Sequence, residues 1–419
     1  MRPLCAAGTF IALALLSLGA KASEPVEGLT EREVRILQSL SLESLGPPPA
    51  NPSNRVADSE QAAELGQQLF FDPRFSMDGT LSCASCHQPD KAYTDGLALA
   101  EGLDQTGRNT PTLLGVAYQR WFYWDGRRDS LWAQAMIPFE ATSEMGSSRV
   151  AVVRAVLSHP EYRAAYQALF GQPPEFDWDS LPQEATPLGS TERQNAWYRL
   201  PRATQHNMNG VFANLGKTLE AFQRTLEPPE TRFDQFVAAL AAGNIDRARE
   251  LSSPAEIQGM KLFIDDERAQ CLRCHNGPML SNGGFHNIGT GKFSGENMDF
   301  GRVFGLQAVT MDEFNCLGEY SDARPEQCDN LNYLSQDPHQ ALYGAFKTPT
   351  LRYLDQTAPY FHDGRFNTLI EVIDYYTNPP SEGRNAVHEL TPLDLTVADQ
   401  TALVAFIEML KILEAIDIK

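Results

Sequence analysis

Cys83-Ala84-Ser85-Cys86-His87 and Cys271-Leu272-Arg273-Cys274-His275 are two copies of the pattern Cys-x-x-Cys-His. Two thiols three positions apart suit the two vinyl groups of one porphyrin, and the adjacent imidazole then reaches the iron from the proximal side. Each copy therefore reads as an attachment site for a covalently bound c-type haem. A thioredoxin-like pair has no need of the histidine, and a zinc site needs further Cys or His close by. On this reading Cys83, Cys86, Cys271 and Cys274 attach two haems, His87 and His275 ligate their irons, and the chain is a redox protein.

The compartment follows from the first residues. Arg2, the apolar run 10–18 and Ala20-Lys21-Ala22 have the three-part form of a secretory signal peptide, so residues 1–22 are expected to be removed and the mature chain to lie in a periplasm. The apolar run is too short to favour a membrane span, and no later stretch offers one. Of seven cysteines, Cys5 leaves with the leader and four attach haem. Cys316 and Cys328 remain, and an oxidising compartment lets them form a disulfide that staples the loop 314–330, a reading preferred to a metal site or redox switch. The formal net charge of -20 argues against nucleic acid and anionic membrane surfaces. It would steer a basic partner toward the protein, although the solubility of an exported protein accounts for it equally well.

The elements that must position these residues come as an internal repeat. Gly66-Gln67-Gln68-Leu69-Phe70-Phe71-Asp72 precedes the first haem motif, and Gly259-Met260-Lys261-Leu262-Phe263-Ile264-Asp265 the second. After each motif, Thr110-Pro111-Thr112-Leu113 leads to Asp125-Gly126-Arg127, and Thr348-Pro349-Thr350-Leu351 leads to Asp363-Gly364-Arg365, with the same spacing. A shared order and spacing points to duplication. Apolar residues at helical spacing mark 58–71, 148–170, 211–226, 254–263 and 396–413, and Thr368 with Glu371 has the form of a capping box that starts a helix running through Tyr376. Long alternating strand patterns are absent. The expected fold is mostly α: two cytochrome c-like haem domains packed together, one over 58–229 and one over 230–419. A mobile or wrapping arm at 23–57 precedes them, and the Pro-rich polar stretch 171–204 reads as a surface insertion.

Superposing the two Asp-Gly-Arg segments sets Trp124 against His362 and, fourteen residues on, Pro138 against Tyr376. If that position faces the distal side of each haem, Tyr376 could ligate the second iron through its phenolate, whereas Pro138 could not ligate at all. Haem 1 would then be open to peroxide, and haem 2 closed and suited to relaying an electron. The ligand reading of Tyr376 is preferred to that of a core aromatic on an amphipathic helix; Tyr375 is its near rival, and Met279 and Met409 are less favoured.

The chain resembles the bacterial di-haem cytochrome c peroxidase family, including its MauG branch. The likeness runs from about Ala57 to the C-terminus through Asn109-Thr110-Pro111-Thr112, Trp124-Asp125-Gly126-Arg127, Gln134, Pro138, Glu144-Met145-Gly146 and Thr357-Ala358-Pro359-Tyr360-Phe361-His362-Asp363-Gly364. The resemblance implies hydrogen peroxide as substrate, Glu144 as the acid–base residue, Gln134 as a distal amide and Trp124 as the tryptophan between the haems. It also implies a calcium site on Asn109, Thr357 and Pro359, and allows a homodimer. Peroxide chemistry gives these types a rationale: one group moves a proton from the inner to the outer oxygen while a donor steadies the departing hydroxide.

Two departures bear on activity. Many family peroxidases carry a histidine soon after the first motif that caps haem 1 until the other haem is reduced, and here none lies between His87 and His159. Tyr376 stands where such peroxidases have Met, as in the MauG branch, yet Ala269 stands where that branch's surface-relay tryptophan is expected. The expected function is peroxide reduction at haem 1, with electrons arriving from a small cytochrome c or cupredoxin through haem 2. The alternative is a MauG-like oxidase that discharges the oxidising equivalents of peroxide on an aromatic residue of a protein substrate. A pure electron-transfer or sensor protein would leave Glu144 and Gln134 without a task.

Overall fold

The computed structural model describes residues 28–291, 299–335, 340–380 and 388–413; the expected leader lies outside them. The chain opens with α1 (Glu31–Leu40), then α2 (Glu60–Phe71), the single turn α3 (Cys83–Cys86), α4 (Leu131–Glu140), α5 (Arg149–Ser158), α6 (Pro160–Phe170), α7 (Thr191–Tyr198) and the long α8 (Arg202–Gln223). The second half has α9 (Arg232–Ala241), α10 (Ile245–Leu251), α11 (Pro254–Ile264), α12 (Arg302–Met311), α13 (Asp329–Asn332), α14 (Leu369–Thr377) and α15 (Val397–Glu408). Among the described residues the one sheet is a two-residue antiparallel pair, β1 (Phe285–His286) with β2 (Phe346–Lys347), in which Phe285 faces Lys347.

The helix that enters each haem loop starts on a side-chain cap. Ser59 accepts the Ala62 N–H at the start of α2, and Ser253 and Glu256 close a capping box around Pro254 at the start of α11. Each of these helices then crosses a partner at close range, α2 on α8 and α11 on α15. Gly66 faces the backbone carbonyl of Thr218 and Gly259 that of Ala402, so a Cβ at either glycine would collide with the opposing helix. Phe70 packs on Phe222 at 5.1 Å in the first crossing, and Phe263 on Phe406 at 5.0 Å in the second. The repeat is thus carried by matching crossings, each at the centre of its own apolar core. It extends to the backbone: Tyr123 and Phe361 are both left-handed (φ 67° and 71°), and the bridges Phe122–Arg128 and Tyr360–Phe366 fold the same small loop in each half.

The arm wraps. Leu29, Leu37 and Leu40 are fully buried in the core of the second half beside Phe233, Phe236 and Phe263. Three such leucines, each contributing roughly 1.5–3 kcal/mol, offset a large part of the roughly 1–2 kcal/mol per residue that ordering the helix costs. Leu40 O accepts from the buried guanidinium of Arg352 at 3.0 Å, and Asp234 holds that guanidinium (2.9 and 3.1 Å) and the Leu42 N–H (2.8 Å). Further on, the Asn51 side chain donates to Glu220 and Pro49 O accepts from Arg224, both in the first half.

Some boundaries differ from the periodicity. The run 148–170 is two helices, because Pro160 opens a new one at its first position. The helix expected from 211 starts at Arg202, its polar first turns held by Gln205, which donates to the carbonyls of Trp197 and Leu200. The last helix ends at Glu408, and the chain then pairs Ile412 with Thr231. The stretch 171–204 is more than a surface insertion: Ala185, Thr186 and Trp197 are buried, the Thr186 hydroxyl donates to Glu140, and Arg193 donates to Ser147 O. It closes over the end of α4.

Cys316 and Cys328 are joined, their Cα atoms 5.6 Å apart, as a staple in the loop after α12. Replacing both with Ser is expected to destabilise the protein by about 2–4 kcal/mol without changing activity per folded molecule. Chemical denaturation alongside turnover checks this, and lost activity at full haem loading would make the pair a redox switch.

Candidate active site

Each haem motif is a turn that sets two cysteines on one side and a histidine at its end. His87 Nδ1 lies 3.0 Å from Tyr93 O, and His275 Nδ1 lies 2.9 Å from Leu280 O. A carbonyl can only accept, so Nδ1 carries the hydrogen in both rings and Nε2 keeps the lone pair an iron requires. The carbonyls of Pro111 and Pro349 are second acceptors beside the same rings. Both carbonyl loops turn through left-handed residues, Tyr93 and Leu280, and are latched by hydroxyls: Thr112 donates to Ala92 O at 2.5 Å, Thr350 to Met279 O at 2.7 Å. This is the task of the repeated Thr-Pro-Thr, to which the sequence reading attached no role.

The chemistry of the donors fits haem. Burial lowers the pKa of His87 and takes that of His275 down to about 4, which favours the neutral ring that an iron ligand requires. It pushes Cys83 and Cys271 up to about 12 and Cys86 to about 11, which favours neutral sulfur, as in a thioether, over metal-binding thiolate. Among the described residues no group of three or more His, Cys, Asp or Glu is arranged to hold a metal ion.

In the second half Cys271, Cys274, His275 and Tyr376 line one largely apolar cavity of about 420 Å³. Burial drives the Tyr376 phenol far above its ordinary pKa, and both motif sulfurs are near enough to act on it. The rival Tyr375 is committed elsewhere, donating to Ile288 O at 2.8 Å. Met409 is buried in the core, and Met279 packs toward Gly115; neither lines the cavity.

In the first half the matching helix is α4, with Pro138 inside it. Pro138 O accepts the Met145 N–H at 3.1 Å, and Leu103 N donates to Glu144 O at 2.9 Å. Gly102 lies so close that a Cβ there would strike the Glu144 backbone. Glu144 is therefore fixed on both sides, and its charge acts on Cys83, Cys86, Tyr123 and Arg127. Burial raises its carboxyl pKa, and Arg127 partly opposes the shift. Gln134 lies one turn before Pro138, its carbonyl 3.5 Å from the Tyr123 hydroxyl.

Trp124 stands at the seam. Its Nε1 donates to Asn109 O at 2.9 Å, its carbonyl accepts from Lys347 N at 2.8 Å, and its ring lies 6.4 Å from His362. Arg302, buried between the rings of Trp121 and Phe285, clamps the next turn by donating to Gly126 O at 2.6 Å. Asn109, Thr357 and Pro359 line the same cavity as Trp124 and Tyr376, and the Asn109 amide donates to Leu97 O. Lys347 and Arg302 escape sequence reasoning, since neither stands in a repeated motif. Lys347 is the counterpart of Asn109 in the second half and differs from it in kind.

A profile described as di-haem cytochrome c peroxidase matches residues 60–241. MauG, the methylamine utilization protein of Methylorubrum extorquens, is 30% identical over 371 residues, covering 88% of this chain and 82% of that one. A cytochrome-c peroxidase of Denitromonas iodatirespirans is 31% identical over 372 residues, covering 88% and 86%. The diheme peroxidase BthA of Burkholderia thailandensis shares the fold, with a TM-score of 0.61 at 22% identity over 86% of this chain and 89% of that one. The site and fold define a di-haem c-type oxidoreductase. The chain belongs to the di-haem cytochrome c peroxidase family, which includes MauG, and two c-type haems are its cofactors.

Proposed function

We propose that this protein is a periplasmic enzyme that cleaves hydrogen peroxide at its N-terminal haem with electrons relayed through its C-terminal haem. The observation that carries the reading is the asymmetry of one repeated position: Tyr376 faces the haem 2 cavity, while its counterpart Pro138 has no group to offer an iron. When bound, the haem iron of the first half supplies the redox centre at which the O–O bond is broken. Glu144, held by its backbone bonds to Ala141 and Leu103, takes a proton from the inner oxygen and returns it to the outer one. The Gln134 amide steadies the departing hydroxide, and Trp124 links the two sites across the seam. No helix among the described residues is long and apolar enough to cross a membrane. The net charge of -20 suits a basic electron-donor protein, a small cytochrome c or cupredoxin.

Tyr376 also favours a second reading, in which the oxidising equivalents go to an aromatic residue of a partner protein. Ala269, where a surface relay tryptophan would stand in that case, has no ring to carry an oxidising equivalent, so a route through that side chain is closed. Stopped-flow absorption of the diferric protein with one equivalent of peroxide, in the Soret and near-infrared, decides between the two. A long-lived two-haem oxidised state favours protein oxidation; rapid collapse with fast turnover of a reduced cytochrome favours the peroxidase. Asn109, Thr357 and Pro359 form the proposed calcium site, one side-chain oxygen and two carbonyls with water completing the shell. Calcium is expected to remain at one per chain after dialysis, as read by metal analysis, and its absence would remove the assignment.

A further inference from the structure

Pro138 has no N–H, so the Gln134 carbonyl four residues earlier loses the helical donor it would otherwise have. The Tyr123 hydroxyl takes that place, at 3.5 Å. The counterpart of Tyr123 in the second half is Phe361, which shares its left-handed backbone, lines the haem 2 cavity and sets its ring 6.2 Å from Tyr376. By the repeat, Tyr123 stands beside Pro138 as Phe361 stands beside Tyr376. The two halves agree in backbone and differ by one hydroxyl, and that hydroxyl belongs to the half whose helix offers no iron ligand.

The surroundings suit a residue that loses an electron and a proton together. The Arg127 guanidinium lies 3.4 Å from the centre of the Tyr123 ring and is itself held by both oxygens of Asp125, at 3.1 and 2.9 Å. A fixed positive charge over the ring disfavours a cationic ring, so an electron leaves readily only if the phenolic proton leaves with it. Burial pushes the phenol up to about 12, which keeps that proton in place until a base removes it, and the negative charge of Glu144 is felt at the phenol. Trp124, the next residue along the chain, lines the same inter-half cavity as Tyr123.

We propose that Tyr123 is a redox-active residue of the haem 1 site, the first station between that site and Trp124. The inference rests on the peroxide-cleaving reading above. Hydrogen peroxide takes up two electrons and two protons in becoming two waters. One electron comes from Tyr123, whose O–H bond breaks as the proton passes to the Glu144 carboxylate; the second comes through Trp124 from the haem 2 side, and solvent supplies the two protons that complete the waters. A further electron arriving through Trp124, with the proton returned from Glu144, restores the phenol.

The test is electron paramagnetic resonance of the diferric holoprotein, frozen rapidly after mixing with one equivalent of peroxide. Three samples are compared: protein with ordinary tyrosine, protein with ring-deuterated tyrosine, and Tyr123→Phe, which installs the residue the second half carries at the same backbone angle. A radical signal that narrows on deuteration, relaxes fast from proximity to iron and is lost in Tyr123→Phe at two haems per chain is the expected result. A signal insensitive to deuteration, or one that survives in Tyr123→Phe, overturns the proposal. If the variant does not take up both haems, the labelled wild type still decides, since a slowly relaxing tyrosyl lies outside the haem pocket. Peroxide consumption in the wild-type sample keeps the two claims apart. No consumption sinks the peroxide reading itself, whereas consumption with no tyrosyl signal removes only Tyr123.

Discussion

Glu144→Gln is expected to slow peroxide cleavage by about 10²–10⁴-fold, the usual contribution of a positioned acid–base group, with both haems still attached. The amide keeps the size and much of the hydrogen bonding of the carboxyl but cannot accept the proton of the inner oxygen. The backbone bonds of Glu144 to Ala141 and Leu103 do not depend on the carboxylate, so the loop should hold its place. The same residue sets a pH limb. Burial holds the Glu144 carboxyl above the ordinary carboxylate range. Below that pKa the group is protonated and cannot act as base, so the rate should rise as pH increases through it and level off above. In Glu144→Gln this limb should vanish. Stopped-flow rates across pH for both proteins check the claim, and a wild-type rate in the variant would remove Glu144 from the mechanism.

Tyr376→Phe should change the ligation of haem 2 and raise its reduction potential by on the order of 100 mV or more, within the roughly 0.8 V that axial ligands span. The cavity by itself keeps the phenol protonated, because burial disfavours a lone phenolate there. Only a nearby cation such as ferric iron reverses that preference. An anionic oxygen ligand in turn favours the ferric state, so its removal makes reduction easier. Absorption spectra and spectroelectrochemistry measure both effects. An unchanged spectrum would leave haem 2 to some other ligand, with Tyr375 already engaged by Ile288 O and the two methionines away from the cavity.

The haem motifs were legible because covalent attachment needs Cys, Cys and His within five residues, and the repeat was legible because both halves keep the same offsets. The Thr368–Glu371 capping box was readable for the same local reason, and it appears as expected at the start of α14. Features that depend on distant partners were not readable. Pro160 starts a helix inside a run whose apolar spacing continues, and α8 extends back through polar residues stabilised by Gln205. The stretch 171–204 looks solvent-facing by composition, yet Trp197 and Thr186 are drawn in by the buried Glu140–Arg149 pair. Tyr123 could have been noticed, since aligning the Asp-Gly-Arg segments sets it against Phe361. Its meaning required the Gln134 carbonyl that Pro138 leaves without a helical donor, and the Arg127 guanidinium, which only the folded chain brings together with it.

The arm also makes the second half discontinuous along the chain. The first stretch of that half to be synthesised is Leu29 to Leu40, yet it packs on helices made some two hundred residues later, after the whole first half has been threaded between them. The peptide link before Glu230 is consequently no natural seam. A fragment begun there leaves the pocket of three leucines open to water and deprives Arg352 of one of its carbonyl acceptors. A faithful one-haem version of the second half would carry residues 28–45 spliced ahead of it, and swapping such halves between relatives has to move both pieces together.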